Sequence, residues 1–142
     1  MLFELLAIVC AGLFAGAALY ITFVEHPARL ECGTAVAATE FGPSYRRATV
    51  MQASLAVLGT LSGIAAGISS GGVVWIVAAF MLSAVVPFTL FVMAPTNQRL
   101  EDPALDLSSA EARDLLTRWG HLHAVRTSIS LVALLLMLFA RF

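Results

Sequence analysis

Six residues from four separate stretches could do chemistry together: Glu25, His26, Arg46, Asn97, His123 and Arg126. In a helix, Trp119, His123, Arg126 and Ser130 recur at spacings of three and four and share one face, whereas His121 points nearly the opposite way. A neutral imidazole with a pKa near ~6.5 suits proton transfer at neutral pH. Glu25 and His26 are adjacent and lie about 100° apart around a helix, while Thr22 shares the Glu25 face. In another helix Tyr45, Thr49 and Gln52 align, with Arg46 beside them. A second chemistry is metal binding: Glu25, His26 and His123 would supply a carboxylate and two imidazoles, or the two histidines would hold a haem. Adjacent Glu25 and His26 converge poorly on a regular helix, although Pro27 disfavours helix at His26 and would allow unwinding there.

These groups have to be carried by membrane-spanning helices. The 142 residues are 60% hydrophobic and only 12% charged, with a mean hydropathy of +0.91. Soluble domains are about 45–50% apolar and about 25% charged. Four apolar runs lie near 2–24, 48–70, 73–94 and 124–140, and about 20 apolar residues cross a bilayer as helix. The expected fold is all-α: a single four-span bundle over 1–142, with spans near 2–24, 44–70, 73–95 and 119–140 and a polar pocket at one membrane face. The first run lacks a positive leading region and is too long for a signal segment, so it reads as a retained span.

Threading the runs up and down puts Glu25, His26, Arg29, Glu40, Arg46, Arg47, Asn97, Arg99, His121, His123 and Arg126 at one face, with Glu4 and Arg141 opposite. Arg29, Arg47, Arg99, Arg113, Arg118 and His121 read as solvated or headgroup contacts, their stems snorkelling. Ionisable residues inside a bundle are costly and usually paired or functional, which separates His123 and Arg126 from the rest. The arginine bias predicts a cytoplasmic charged face with both termini outside, in a bacterial inner membrane. There is no lysine and the net charge is −1, so nucleic acid is not a partner.

Local signals refine the helices. Gly42-Pro43-Ser44 predicts the start of the second span, residues 34–41 a short interfacial helix, and Ser108-xx-Glu111 a capping box opening the last helix. Pro87 predicts a kink, through loss of a backbone bond and a clash with the Ser83 carbonyl, that would open a cavity near Thr89. Gly12 and Gly16, and Gly59, Gly63 and Gly67, predict close helix approach within the bundle, or a homo-oligomer seam. Cys10 and Cys32 are too far apart to bond, and no CxxC is present.

Several motifs together resemble a known family. They are Phe23-Val24-Glu25-His26-Pro27, Tyr45-Arg46-Arg47-Ala48 with Met51-Gln52, Met93-Ala94-Pro95-Thr96-Asn97-Gln98-Arg99-Leu100, and Trp119-xxx-His123-xx-Arg126-Thr127. The combination is similar to the anthrone oxygenase-like family of small four-helix membrane proteins, long catalogued as a domain of unknown function. That resemblance implies oxidation of a planar, lipid-soluble anthrone- or quinol-like compound. Such a reaction begins with removal of a proton from carbon beside a carbonyl. His123 would be the base, with Glu25 orienting a histidine or shuttling a proton and His26 nearby. Arg126, Arg46 or Asn97 would stabilise the enolate oxygen, Trp119 and Tyr45 would stack on the substrate, and Gln52 and Thr89 would complete its binding. The electron-rich anion can react with O2 directly, so no cofactor is required. A metal or haem protein, or a binding or transport protein without catalysis, are the other readings; the nearly charge-free middles of the spans and the single proline break argue against transport.

Overall fold

The computed structural model describes all residues, Met1–Phe142, and contains no strand. Four helical spans run Leu2–Glu31, Thr34–Ser70, Val73–Leu100 and Ala110–Arg141, each long and apolar enough to cross a membrane. The first span packs on the second and fourth, and the third on the same two, giving an up-down square bundle whose second and fourth spans also approach across the diagonal. At 1.5 Å per residue the 37-residue second span is about 55 Å long and the 32-residue fourth about 48 Å. Both exceed a hydrocarbon core of about 30 Å. The excess stands on the charged side, because Gly71, with φ +71°, closes a tight turn at the other.

Several boundaries differ from those expected of the sequence. Residues 34–41 are not a separate interfacial helix; the second span begins at Thr34 and runs straight through Pro43. Pro43 is exposed, and so is Thr39, whose carbonyl the proline leaves unbonded, so water can satisfy it. The turn that does break the chain is at Gly33, with φ +96°. The third span extends to Leu100, and the last helix starts at Ala110, close to the opening expected at Ser108-xx-Glu111. Its cap is Ser109, whose hydroxyl accepts from the Ala112 amide at 3.1 Å, while Ser108 is held by Asp106. Glu111 does not close a capping box but accepts a paired contact from Arg99 at 2.7 and 3.0 Å.

The glycine face of the second span packs inside the bundle. A Cβ on Gly59 would stand 2.8 Å from Leu82 Cδ2 and 3.1 Å from Cys10 Cβ, and one on Gly63 would stand 3.0 Å from Ala79 Cβ. Backbones approach here because no side chain intervenes. Cys10 is buried, Cys32 is exposed, and both are free thiols.

Two apolar cores result. One, around Phe14, Ala56, Trp75, Leu82, Ala133 and Met137, fills the half nearer Gly71. The other, around Ile21, Phe41, Met93, Leu116 and Trp119, fills the charged half. Between them lies a polar layer that includes the buried Gln52, His123, Thr127 and Ser130.

Candidate active site

Proline shapes both helices that face the fourth span here. The first span passes through a π-helical turn, Ile21–Glu25, just before Pro27. The third passes through another, Phe88–Met93, between Pro87 and Pro95. A π turn widens the helix where proline has removed a bond, and such turns recur at functional sites. The chain therefore stays helical at His26 rather than unwinding, and the third span stays α-helical through Pro87 and widens only after it. Thr22 Oγ1 lies 3.1 Å from His123 Nδ1 and 2.9 Å from Thr127 Oγ1. Thr89 donates to the Val85 carbonyl at 2.7 Å and accepts from Arg126 Nη1 at 3.3 Å.

Arg126 is the unusual group of this layer. Fifteen residues separate it from Arg141, roughly 22 Å along the axis, which places it well inside the apolar zone. No carboxylate pairs with it. Instead Nη2 donates to Gln52 Oε1, Nη1 to Thr89, and the guanidinium carbon lies 5.3 Å from the Phe14 ring centre. Its Nε is buried without a partner, as are Gln52 Nε2 and Trp119 Nε1. Buried donors normally find acceptors. Gln52, Trp119, His123 and Arg126 line one cavity of about 20 Å³, together with Arg29, Ser44, Tyr45 and Thr49 and the apolar Ile21, Phe41, Ala48 and Met93. A second cavity of about 100 Å³ shares Gln52 and Arg126 and lies between the second and third spans, bounded by Ala53, Ala56, Val86 and Leu90.

Above this layer the rings are stacked. His26 packs on Trp119 with centroids 5.1 Å apart, and Trp119 stacks on His123 at 4.7 Å and 26°. Phe41 meets the edge of Trp119 at 5.4 Å and stacks on Tyr45 at 5.5 Å. The His26 ring fits only because residue 120 is glycine: a Cβ there would stand 2.6 Å from His26 Nε2. His26 is 6% exposed, and neither of its nitrogens has a hydrogen-bond partner in the protein.

Of the residues singled out in the sequence, His123, Arg126, Trp119 and Gln52 meet at one cavity, Tyr45 lines its edge, and Thr89 touches Arg126. Others go elsewhere. Glu25 orients no histidine; it pairs with Arg29 and accepts from Ser44 at 3.0 Å. Arg46 turns outward, 65% exposed, onto Glu101 at 2.9 Å. Asn97 is buried and donates to the Tyr45 hydroxyl at 3.0 Å. Arg29, expected at headgroups, is instead buried, lies 3.0 Å from a Glu40 oxygen, and sits 5.9 Å from the Trp119 ring centre. Thr22, Thr127, Phe41 and Gly120 were not singled out as site residues. All but Phe41 were within reach of helical spacing: Thr127 and Gly120 lie four residues after and three before His123, and Thr22 shares the face of the buried Ala15 and Ala18. No three His, Cys, Asp or Glu side chains converge as a metal-ligand group. Glu25 is engaged by Arg29, and Trp119 contacts both histidine rings.

Fold and site together define a four-helix membrane protein whose buried polar layer joins a histidine to an uncompensated arginine. The anthrone oxygenase family model matches residues 41–136, and the chain belongs to that family. It is also 45% identical over 65 residues to the anthrone oxygenase tpcL of Aspergillus fumigatus, a stretch covering 43% of this chain and 40% of that relative. No solved structure matches.

Proposed function

We propose that this chain oxidises a planar, lipid-soluble anthrone- or quinol-like compound, with His123 as base and Arg126 as the main oxyanion donor. The supporting observation is the cavity where Gln52 Nε2, Trp119 Nε1 and Arg126 Nε all lack acceptors and no carboxylate is present. A donor-rich, acid-free site suits a substrate that becomes an oxyanion during reaction, because each donor then gains a charged acceptor. His123, on the same cavity wall, would take the proton from the carbon beside the carbonyl. The enolate then adds O2 at that carbon, one proton returns to give a hydroperoxide, and loss of water leaves a second carbonyl. One O2 is consumed and one water released per anthrone.

Size suggests how the substrate is held. Ligand pockets usually measure about 300–1,000 Å³, and cavities of about 20 and 100 Å³ admit only one edge of a tricyclic compound. The oxygen-bearing edge would enter between the second and third spans, past Ala53 and Leu90, while the remaining rings stay in the lipid. The arginine excess at the charged face supports a cytoplasmic position for that face.

Protein in nanodiscs, given an anthrone and O2, should consume O2 faster than empty nanodiscs do. His123→Ala should lower kcat by about 10²–10⁴, and Arg126→Gln by about 10²–10³. Unchanged oxidation by His123→Ala would remove the base assignment. Oxidation no faster than the nanodisc background in the parent protein would remove the activity.

A further inference from the structure

The hydroxyl groups beside His123 decide which of its nitrogens can act. Thr127 makes the usual helical back-bond, its hydroxyl 2.9 Å from the His123 carbonyl oxygen. Thr22 Oγ1 lies 2.9 Å from Thr127 Oγ1 and 3.1 Å from His123 Nδ1. Only two hydroxyl protons serve these contacts. If Thr127 donates to the His123 carbonyl, its oxygen is free to accept from Thr22. Thr22 has then spent its proton and can only accept, so the proton between it and the ring must sit on Nδ1. This arrangement satisfies all three contacts in one direction.

The opposite arrangement does worse. A proton on Nε2 would make Nδ1 an acceptor from Thr22, and Thr22 would have to accept from Thr127. Thr127 would then abandon the carbonyl, and the Nε2–H would have no protein acceptor, since both contacts of this ring run through Nδ1. Each chain makes use of the same atoms, but the first makes one hydrogen bond more. At a typical net value per bond this favours the Nδ1–H form by roughly tenfold.

We propose that Thr22, supported by Thr127, is a positioning residue that holds His123 as its Nδ1–H tautomer and so leaves Nε2 unprotonated. The proposal rests on His123 acting as the base. Thr22 reaches the ring because it lies on the face of the first span that carries the buried Ala15 and Ala18. No hydroxyl hydrogen-bonds the His26 ring.

The test uses the full chain in nanodiscs with 15N-labelled histidine rings, His123 being assigned by comparison with His26→Gln and His121→Gln. Parent protein should show a protonated Nδ1 and a pyridine-like Nε2. Thr22→Val, which keeps shape and loses the hydroxyl, should shift the tautomer ratio by about tenfold towards Nε2–H and lower kcat by at least that factor. Thr22→Ser should restore both. Thr127→Val should also shift the ratio, since Thr22 then regains a proton to donate. A pyridine-like Nδ1 or a doubly protonated ring in the parent overturns the proposal, as does a Thr22→Val spectrum identical to the parent's. If Nδ1–H is found and lost as expected while no variant, parent included, oxidises an anthrone, the tautomer assignment stands and the proposed reaction falls.

Discussion

Replacing Gly120 with alanine would place a methyl group 2.6 Å from His26 Nε2 and 2.8 Å from Cδ2. Ordinary contact begins near 3.4 Å, so the ring has to retreat by roughly 0.6–0.8 Å. Its retreat is blocked by Trp119, 5.1 Å away between centroids, and Trp119 is stacked in turn on His123 at 4.7 Å. The displacement should therefore pass through two aromatic contacts to the proposed base. Two energies oppose each other. Alanine in a helix interior gains about 1 kcal/mol over glycine, whereas overpacking costs about 1–3 kcal/mol. The expected net change in stability is a loss of about 0–2 kcal/mol, too small to unfold the bundle. Activity should suffer more, because displacements approaching 1 Å cost about a hundredfold; a drop of about 10–100-fold in kcat on an anthrone is expected. The assay pairs turnover in nanodiscs with Trp119 fluorescence in a Trp75→Phe background. His26→Ala makes room for the new methyl, so the double variant should lose much less than the two single changes combined. Strict additivity, or a Gly120→Ala protein with parental turnover and fluorescence, would refute this transmission through the ring stack.

Other outcomes follow from the same structure. Arg29→Met should leave Glu25 and Glu40 facing each other without their shared cation; because both carboxylates are partly exposed, the loss should fall below the 3–5 kcal/mol of a fully buried pair, at about 1–3 kcal/mol by thermal denaturation in nanodiscs. Cys32 is exposed on the charged side and Cys10 is buried, so a membrane-impermeant maleimide should label intact cells only after permeabilisation if that face is cytoplasmic; labelling of sealed cells would reverse the orientation. In the loop between the third and fourth spans, the Ala104 amide and Arg99 hold Asp102 below the usual carboxylate range, and the Ser108 hydroxyl and amide do the same for Asp106. A depressed folded-state pKa stabilises the loop at pH above the unfolded value of 3.8 and ceases to as pH falls through the folded one. Hydrogen exchange at the Ala104 and Ser108 amides should therefore lose protection only under acid, below about pH 4; loss of protection between pH 7 and 5 would contradict those contacts.

Four membrane-crossing apolar helices were legible in the chain alone, because span length and composition are local quantities set against bilayer thickness. So was the shared face of Trp119, His123 and Arg126, since spacing along one regular helix needs no knowledge of its neighbours. Local punctuation was a weaker guide: Pro43 resembles a helix start but sits inside a helix, tolerated because its side of the helix is exposed. Tertiary structure decided the rest. Arg29 and Arg46 are the same residue type near the same membrane face, yet one is buried between two carboxylates and the other is 65% exposed. Only the packing of the first span against the second could separate them. Thr22 meets His123, and Gly120 admits the His26 ring, only because the first and fourth spans pack together. These contacts join residues about a hundred positions apart, where spacing along the chain carries no information about distance in space.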